Sequence, residues 1–299
     1  MTVSSGILVM NKPQCFTSFD VIGKLRGILK MRRLGHTGTL DPMATGVLPV
    51  LIGTAARACD ILPDESKSYR AGFQLGTVTD TQDSSGNVLE THPFDVPEPA
   101  LLAVLPQFTG EIRQIPPMYS AVQINGKRLY ELARAGKEIE RPARTVTVSG
   151  LHLEAYDREN GSGVLSVDCG KGTYVRTLLH DIGGVLGCGC MMTALERTAA
   201  CGFSVKDAHT FEEVQQAAES GTLAELIIPT DRLFQQLPAL RLGEVQTRLY
   251  RNGAKPELKR VQGIDRNQPR YRVYGDDGMF LGLADADFEN GCLRVYKNL

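Results

Sequence analysis

Residues 35–46 read GHTGTLDPMATG, a stretch that neither a helix nor a strand absorbs, lying between two stretches that form regular structure. Its glycines permit tight turns and close approach of another chain. Pro42 biases Asp41 towards an extended backbone, so a lone carboxylate is held in a Gly- and Thr-rich loop. Upstream, Thr17 or Ser18 as N-cap, followed by Phe19, Ile22, Leu25 and Leu29 at helical spacing, predicts an amphipathic helix with a basic outer face. Before that helix, GILVMNKP reads as a short apolar strand ending where Pro13 stops ladder pairing. Downstream, VLPVLIG is a second apolar run. By pattern alone Asp41-Pro42 is a turn at a strand start, and the same carboxylate is also a candidate nucleophile or base. The loop lacks the Lys-Ser/Thr ending that grips phosphates, so it is not a nucleotide-binding P-loop.

The remaining pattern alternates between the two periods. Residues 67–78 alternate as a strand does, TDTQDSSGN (79–87) predicts a polar surface loop, and PEPALLAVLPQFTG predicts a short helix stopped by glycine. Between Gln123 and Arg144 an Asn-Gly turn, a short basic helix and a Gly-Lys break precede Arg141-Pro142. TVTVSGLHLEAYD and GVLSVDCGKGTYVRTLLHDIGGVLG then run through strand, turn and helix, and residues 207–227 read as helical. After Pro238 short strand-like runs are broken by Gly, Asn and Asp-Asp-Gly. The expected class is α+β with a mixed or antiparallel sheet, in two units, 1–235 and a small β-rich 236–299.

At 299 residues, one large domain plus a small one is the ordinary division, and 42% hydrophobic with 22% charged residues is a globular composition. No stretch has the apolar length of a membrane span, and the N-terminus lacks the basic-then-apolar pattern of a secretory signal, so a cytoplasmic location is expected. The 7 cysteines are odd in number and scattered, which points to reduced thiols. Cys188-Gly-Cys190 is not CxxC and no zinc-spaced partner pair follows, so no metal is expected.

The net charge of −1 conceals segregation. Residues 1–40 hold Lys12, Lys24, Arg26, Lys30, Arg32 and Arg33 against Asp20 alone, and residues 244–272 are again strongly basic. The balancing acids cluster elsewhere, as at Asp276, Asp277, Asp285, Asp287 and Glu289. Such patches suit a phosphate backbone, although charged runs are also ordinary solvated faces.

At the Asp41 loop the sequence resembles a known family. GHTGTLDPMATGVLP is similar to the signature of the bacterial tRNA pseudouridine-55 synthases, the TruB family. NKPQCFTS (11–18), KSYRAGFQLGTVTDTQDSSG (67–86), QIPPMYSAVQINGKRLYELARAG (114–136), CGKGTYVRTLLHDIGGVLG (169–187) and LERTAACGF (195–203) extend the resemblance in order and spacing. The resemblance implies a pseudouridine synthase fold with an RNA-clamping thumb at about 123–144 and a PUA-like tail. It also implies isomerisation of uridine 55 in the tRNA T loop, without a cofactor.

Residue by residue, it implies that Asp41 is the essential aspartate, acting as nucleophile or as base. Tyr69 would stack on the flipped uracil, its hydroxyl a candidate for removing the C5 proton. Arg176 would pair with the carboxylate, and Tyr174, two residues earlier and on the same face if the segment is a strand, would line the base pocket. Leu195 would touch the uracil, His36 would help hold the RNA open, and Lys12 would support the catalytic loop or meet phosphate. Asn11 stands where many relatives carry Asp, a change read as neutral. Lys127, Arg128, Arg134, Arg141 and Arg144 would contact RNA. The expected partner is the tRNA T arm, engaged by a monomer with no obligate protein partner. A non-catalytic tRNA-binding or folding protein and a guide-RNA-dependent synthase of the same fold are the rival readings.

Overall fold

The computed structural model describes residues 5–124 and 126–299; Met1–Ser4, and Asn125 of the expected Asn-Gly turn, lie outside them. In chain order the elements are β1 (Gly6–Lys12), α1 (Ser18–Leu29), β2 (Leu34–His36), β3 (Thr45–Ile52), β4 (Lys67–Leu75), β5 (Thr77–Thr79) and β6 (Val88–Thr91). Next come α2 (Glu98–Val104), β7 (Gly110–Gln114), β8 (Gln123–Ile124), β9 (Lys127–Arg128), α3 (Leu129–Arg134), β10 (Arg144–Asp157) and β11 (Ser162–Cys169). Then follow α4 (Val175–Leu186), β12 (Cys190–Ala200), β13 (Phe203–Ser204) and α5 (Phe211–Ser220). The last are β14 (Ala239–Arg241), α6 (Glu244–Arg251), β15 (Arg270–Tyr274), β16 (Phe280–Asp287) and β17 (Cys292–Asn298).

Among the described residues the main sheet runs β1-β3-β12-β4-β11-β10-β7, with β2 beside β3 and β13 beside β12. It is mixed, as expected: β12 lies parallel to β3 at Glu196↔Thr45 and Arg197↔Gly46, and the other pairs are antiparallel. Gly6–Met10 of β1 and Gly46–Ile52 of β3 are apolar because both faces are covered there. Leu8, Met10, Val50 and Ile52 pack against α1 and α5, while Ile7, Val9, Val47 and Leu51 face a second cluster that includes Phe234 and Leu283. α4 lays Leu178, Leu179 and Ile182 against Phe73, Leu75 and Leu165 of β4 and β11.

Helix α1 begins where the sequence placed it, and the two cap candidates divide the work. Thr17 is the N-cap: its hydroxyl accepts from Asp20 N at 3.0 Å, and Asp20 accepts from Thr17 N at 2.8 Å. The buried stripe is Ser18, Val21, Ile22 and Leu25, so the expectation for Phe19 is corrected: it is 67% exposed, one position off the face that meets the sheet. The surface loop expected at 79–87 is corrected in its first half, where Thr79, Thr81 and Asp83 are buried and hydrogen-bonded among themselves, while Ser84, Ser85 and Asn87 are exposed as expected. The third correction concerns Tyr174 and Arg176. They belong to the start of α4, with Tyr174 as N-cap, and share no strand face.

Residues 239–298 form a second sheet, β14-β15-β16-β17, around Leu240, Tyr250, Tyr271, Val273 and Leu293. It is joined to the main body by packing. The rings of Phe234 and Phe280 stand 6.4 Å apart, and Leu283 is buried in the cluster under β1 and β3. Polar ties flank that seam: Tyr274 donates to Asp231 at 2.6 Å and Arg272 Nε to the carbonyl of Leu237 at 2.9 Å. No helix among the described residues is long and apolar enough to cross a membrane.

Candidate active site

The loop carrying Asp41 joins β2 to β3 and is anchored along its length. Ser18, at the first turn of α1, gives its hydroxyl to the Leu40 carbonyl at 3.4 Å and receives the Leu40 N–H at 2.8 Å. Cys15 N donates to the Pro42 carbonyl at 2.8 Å, Thr37 N to Pro49 O at 3.2 Å and Ala44 N to Asp41 O at 3.0 Å. Below the loop lies Lys12, 0% exposed, whose ammonium donates to the carbonyls of Pro13 at 3.0 Å, Phe16 at 2.6 Å and Pro42 at 3.3 Å. All three donors are thereby used on backbone, one of them on the Asp41 loop at Pro42. Burial lowers its pKa to about 8, against the opposing pull of Asp41.

The Asp41 carboxylate meets Arg176 at the start of α4. Arg176 Nη2 donates to Oδ1 at 3.3 Å and Nε stands 2.9 Å from Oδ2. The arginine side chain is 5% exposed and the aspartate 34%, so the guanidinium is fixed while part of the carboxylate stays open. Arg176 is held from behind as well, by the carbonyls of Thr81 and Tyr119, each at 3.0 Å. A second buried acid, Asp83, lies 3.6 Å from Nη1. Burial pushes the Asp41 carboxyl above the usual range, Arg176 draws it down, and Asp83 pushes it up again.

Tyr69 and Leu195 lie on neighbouring strands β4 and β12, 8% and 7% exposed, in one apolar cluster with Leu40 and Ala44 of the loop. Burial pushes the Tyr69 phenol up to about 12, so it is neutral around pH 7. His36 ends β2; burial and the Arg197 charge lower its pKa, and its buried Nδ1 has no partner among the described residues. Tyr174 is half-buried at the mouth of α4, its backbone N–H and carbonyl both paired with the Gln114 amide, at 2.8 and 3.1 Å.

Of the expected RNA-contacting residues, Lys127 and Arg128 form β9 of a separate two-stranded sheet, Arg134 ends α3, and Arg144 begins β10 of the main sheet. Lys127, Arg128, Arg134 and Arg144 are exposed. Arg128 donates to the Tyr130 hydroxyl at 3.0 Å, and both it and Arg134 lie over the Tyr130 ring, at 5.9 and 5.5 Å from its centroid. Arg141 differs. Its side chain is only 17% exposed, with Nη2 3.2 Å from Glu138, so it is turned in against the protein.

Two charged residues that the sequence reading passed over stand beside the site. Asp83 lies in the segment TDTQDSSG, and its turn-rich surroundings gave no sign of burial. Arg197 lies in LERTAACGF and is 0% exposed, its Nε donating to the Val47 carbonyl at 2.7 Å and its Nη2 to Gly38 at 3.2 Å. The only available signal was their place inside segments already matched to a family.

Comparison with known proteins accords with this geometry. The family model for the TruB family pseudouridylate synthase N-terminal domain matches residues 26–175, and that for the tRNA pseudouridylate synthase B C-terminal domain matches residues 176–235. The chain is 42% identical over 283 residues to the tRNA pseudouridine synthase B of Thiobacillus denitrificans, covering 94% of this chain and 92% of the relative. It is likewise 42% identical over 284 residues to that of Bacillus velezensis, covering 93% and 92%. Among solved structures, one in a Cbf5-Nop10-Gar1 complex superposes with a TM-score of 0.71 at 26% identity, covering 94% of this chain and 78% of the other.

Proposed function

Since the chain belongs to the TruB family of pseudouridylate synthases, we propose that it isomerises uridine to pseudouridine in the T loop of tRNA, at position 55. The reaction breaks the N1–C1′ bond, turns the uracil and forms the C5–C1′ bond. The C5 hydrogen leaves and N1 gains one, so the step is redox-neutral. Asp41 is the carboxylate on which glycosidic cleavage depends, and Arg176 keeps it aimed.

The observation that carries this reading is the pairing itself: a guanidinium 5% exposed against a carboxylate whose side chain stays 34% open. A fixed cation favours the charged form of the acid, and the open part is where a sugar or base approaches. Tyr69 and Leu195 form the wall against which the uracil stacks, with Tyr174 and His36 at the mouth. Flipping the uridine out of the T loop costs a few kcal/mol, which stacking and backbone contacts must offset. Lys127, Arg128, Arg134 and Arg144 supply the phosphate contacts. Recognition rests on the shape of the T arm and a few loop bases. Residues 1–235 make up the catalytic unit and residues 236–299 a PUA-like unit with a further RNA-facing surface. On this reading the protein is a cytoplasmic monomer that needs no protein partner.

The test is tritium release from tRNA transcript labelled at uracil C5, with the position of pseudouridine mapped. The wild-type chain is expected to release tritium from the T loop, and Asp41→Asn to release none while still binding tRNA. Equal release by both would overturn the role of Asp41. T-arm folding without any pseudouridine would establish a binding protein instead, and activity only with an added guide RNA would establish the guided branch.

A further inference from the structure

The most costly side chain near the site is one the reaction has not yet used. Arg197 is fully buried, and its hydrogen bonds go to carbonyls with no carboxylate paired to it among the described residues. Its Nη1 is buried and without an aligned partner. An uncompensated buried charge of this kind costs several kcal/mol, so a fold keeps one only where it serves something.

Sheet topology shows what it serves. β12 runs between β3 and β4, and at Arg197 it pairs with Gly46 on one side and Tyr69 on the other. Gly46 is where the Asp41 loop enters β3, and the approach is close: a Cβ there would lie 2.3 Å from the Arg197 carbonyl oxygen. Tyr69 is the directly opposed residue across an antiparallel pair, so the two side chains share one face. The guanidinium then reaches Gly38, upstream of Asp41, and Val47, downstream of it. Its charge acts on the Tyr69 phenol across the pair, where it opposes the effect of burial.

We propose that Arg197 is a positioning residue for the isomerisation: one guanidinium ties together both ends of the Asp41 loop on the strand face it shares with Tyr69, fixing carboxylate and phenol relative to each other. A guanidinium has only donors. Towards a phenol oxygen on the same face it acts as a donor alone, so it does not compete for the phenol's own hydrogen. It also steadies any negative charge that develops on that oxygen as the C5 hydrogen is removed. A cation at this point therefore orders the two groups that touch the nucleotide without touching it.

The inference rests on the pseudouridylation reading, and one set of measurements separates the two. Single-turnover rates at saturating tRNA are compared for the wild type, Arg197→Lys, Tyr69→Phe and the double variant, with tRNA affinity and Tm alongside. Arg197→Lys keeps the charge but loses the fork, and its rate is expected to fall about 10²-fold, the scale of a misplaced reacting group. Its affinity for tRNA should stay within about threefold. In the Tyr69→Phe background the same change should cost at least about tenfold less, because coupled residues are not additive. Additive losses, or a loss of rate that follows Tm alone, overturn the proposal. If Arg197→Lys shows no cooperative unfolding, Arg197→Gln takes its place; failure of both to fold also overturns it, since the role is then purely structural. An inactive wild-type chain instead overturns the reading beneath.

Discussion

Asp41 must be an anion to act as nucleophile or as base, and its surroundings pull on that condition in opposite directions. Burial and Asp83 favour the proton, Arg176 opposes it, and the balance lies above the ordinary aspartate value of 3.8. Single-turnover rate is therefore expected to rise with pH through a midpoint above 3.8 and to level off towards neutrality. On the alkaline side Lys12, lowered to about 8, loses its charge and with it part of the hold on Pro42. A second limb centred near 8 follows, measurable with saturating tRNA; a rate flat to pH 9.5 counts against that role.

The stability signs are the reverse of the activity signs. A carboxyl raised in the fold binds its proton more readily folded than unfolded, so its charge weakens the fold above that pKa and the cost disappears as pH falls through it. Asp41→Asn is accordingly expected to leave Tm at pH 7 unchanged or higher, by calorimetry. Lys12, lowered in the fold, weakens it while charged and ceases to do so between about 8 and 10.5. At this scale Asp41, Tyr69 and Arg176 were legible through motifs, and the structure brings Asp41 and Arg176 together. Asp83 and Arg197 were not legible, because burial of a charge is a tertiary fact that a polar turn or a strand does not announce.

At the scale of elements, the β3–β12 crossing is the most demanding local arrangement. Gly46 has φ +97 and its Cα faces the Arg197 backbone, so a side chain meets both an unfavourable conformation and a steric block. Gly46→Ala is expected to lower stability by about 1–3 kcal/mol and to abolish turnover, as read by thermal unfolding and tritium release. Lys127 and Arg128 behave differently, since they are solvated. Changing Lys127 and Arg128 together to Ala is expected to weaken tRNA binding and reduce its salt dependence, each lost phosphate contact removing about one unit of the log–log slope. Binding titrations between low and moderate salt check this. Helix α1, strands β1 and β4 and the short helix α3 were readable from period and punctuation. The burial of Thr79, Thr81 and Asp83 was not, because turn residues that satisfy one another inside the protein look like turn residues facing water. Tyr174 and Arg176 were misplaced on a strand for a related reason: GTYVRT is β-branched and aromatic, and only the helix after it, docked through Leu178, Leu179 and Ile182, draws the segment into α4.

Across the whole molecule, the seam between the two sheets decides how the chain unfolds. Leu283 and Phe280 of β16 complete a core whose other members, Ile7, Val9, Leu51 and Phe234, belong to the main body. Leu283→Ala is expected to cost about 2–5 kcal/mol and to destabilise both sheets together. A single calorimetric transition checks this, and two separated transitions would show that the sheets melt independently. The sequence pattern marked a change of character near Pro238 but not this shared core. Alternation tells a strand which face is buried and leaves open what covers it. The strand order of the main sheet was equally hidden, since β12 is inserted between β3 and β4 from more than a hundred residues away.

The ammonium of Lys12, met by three carbonyl oxygens, has the surroundings of a dehydrated potassium ion in a carbonyl cage. Here the ion is tethered covalently to β1, so at a given pH its occupancy does not depend on which salt is present and no dissolved cation competes for the place. The protein is therefore expected to respond to salt in only one of two ways. Ionic strength governs capture of the RNA, whereas exchanging potassium for sodium or choline at constant ionic strength leaves the rate of the bound complex unchanged.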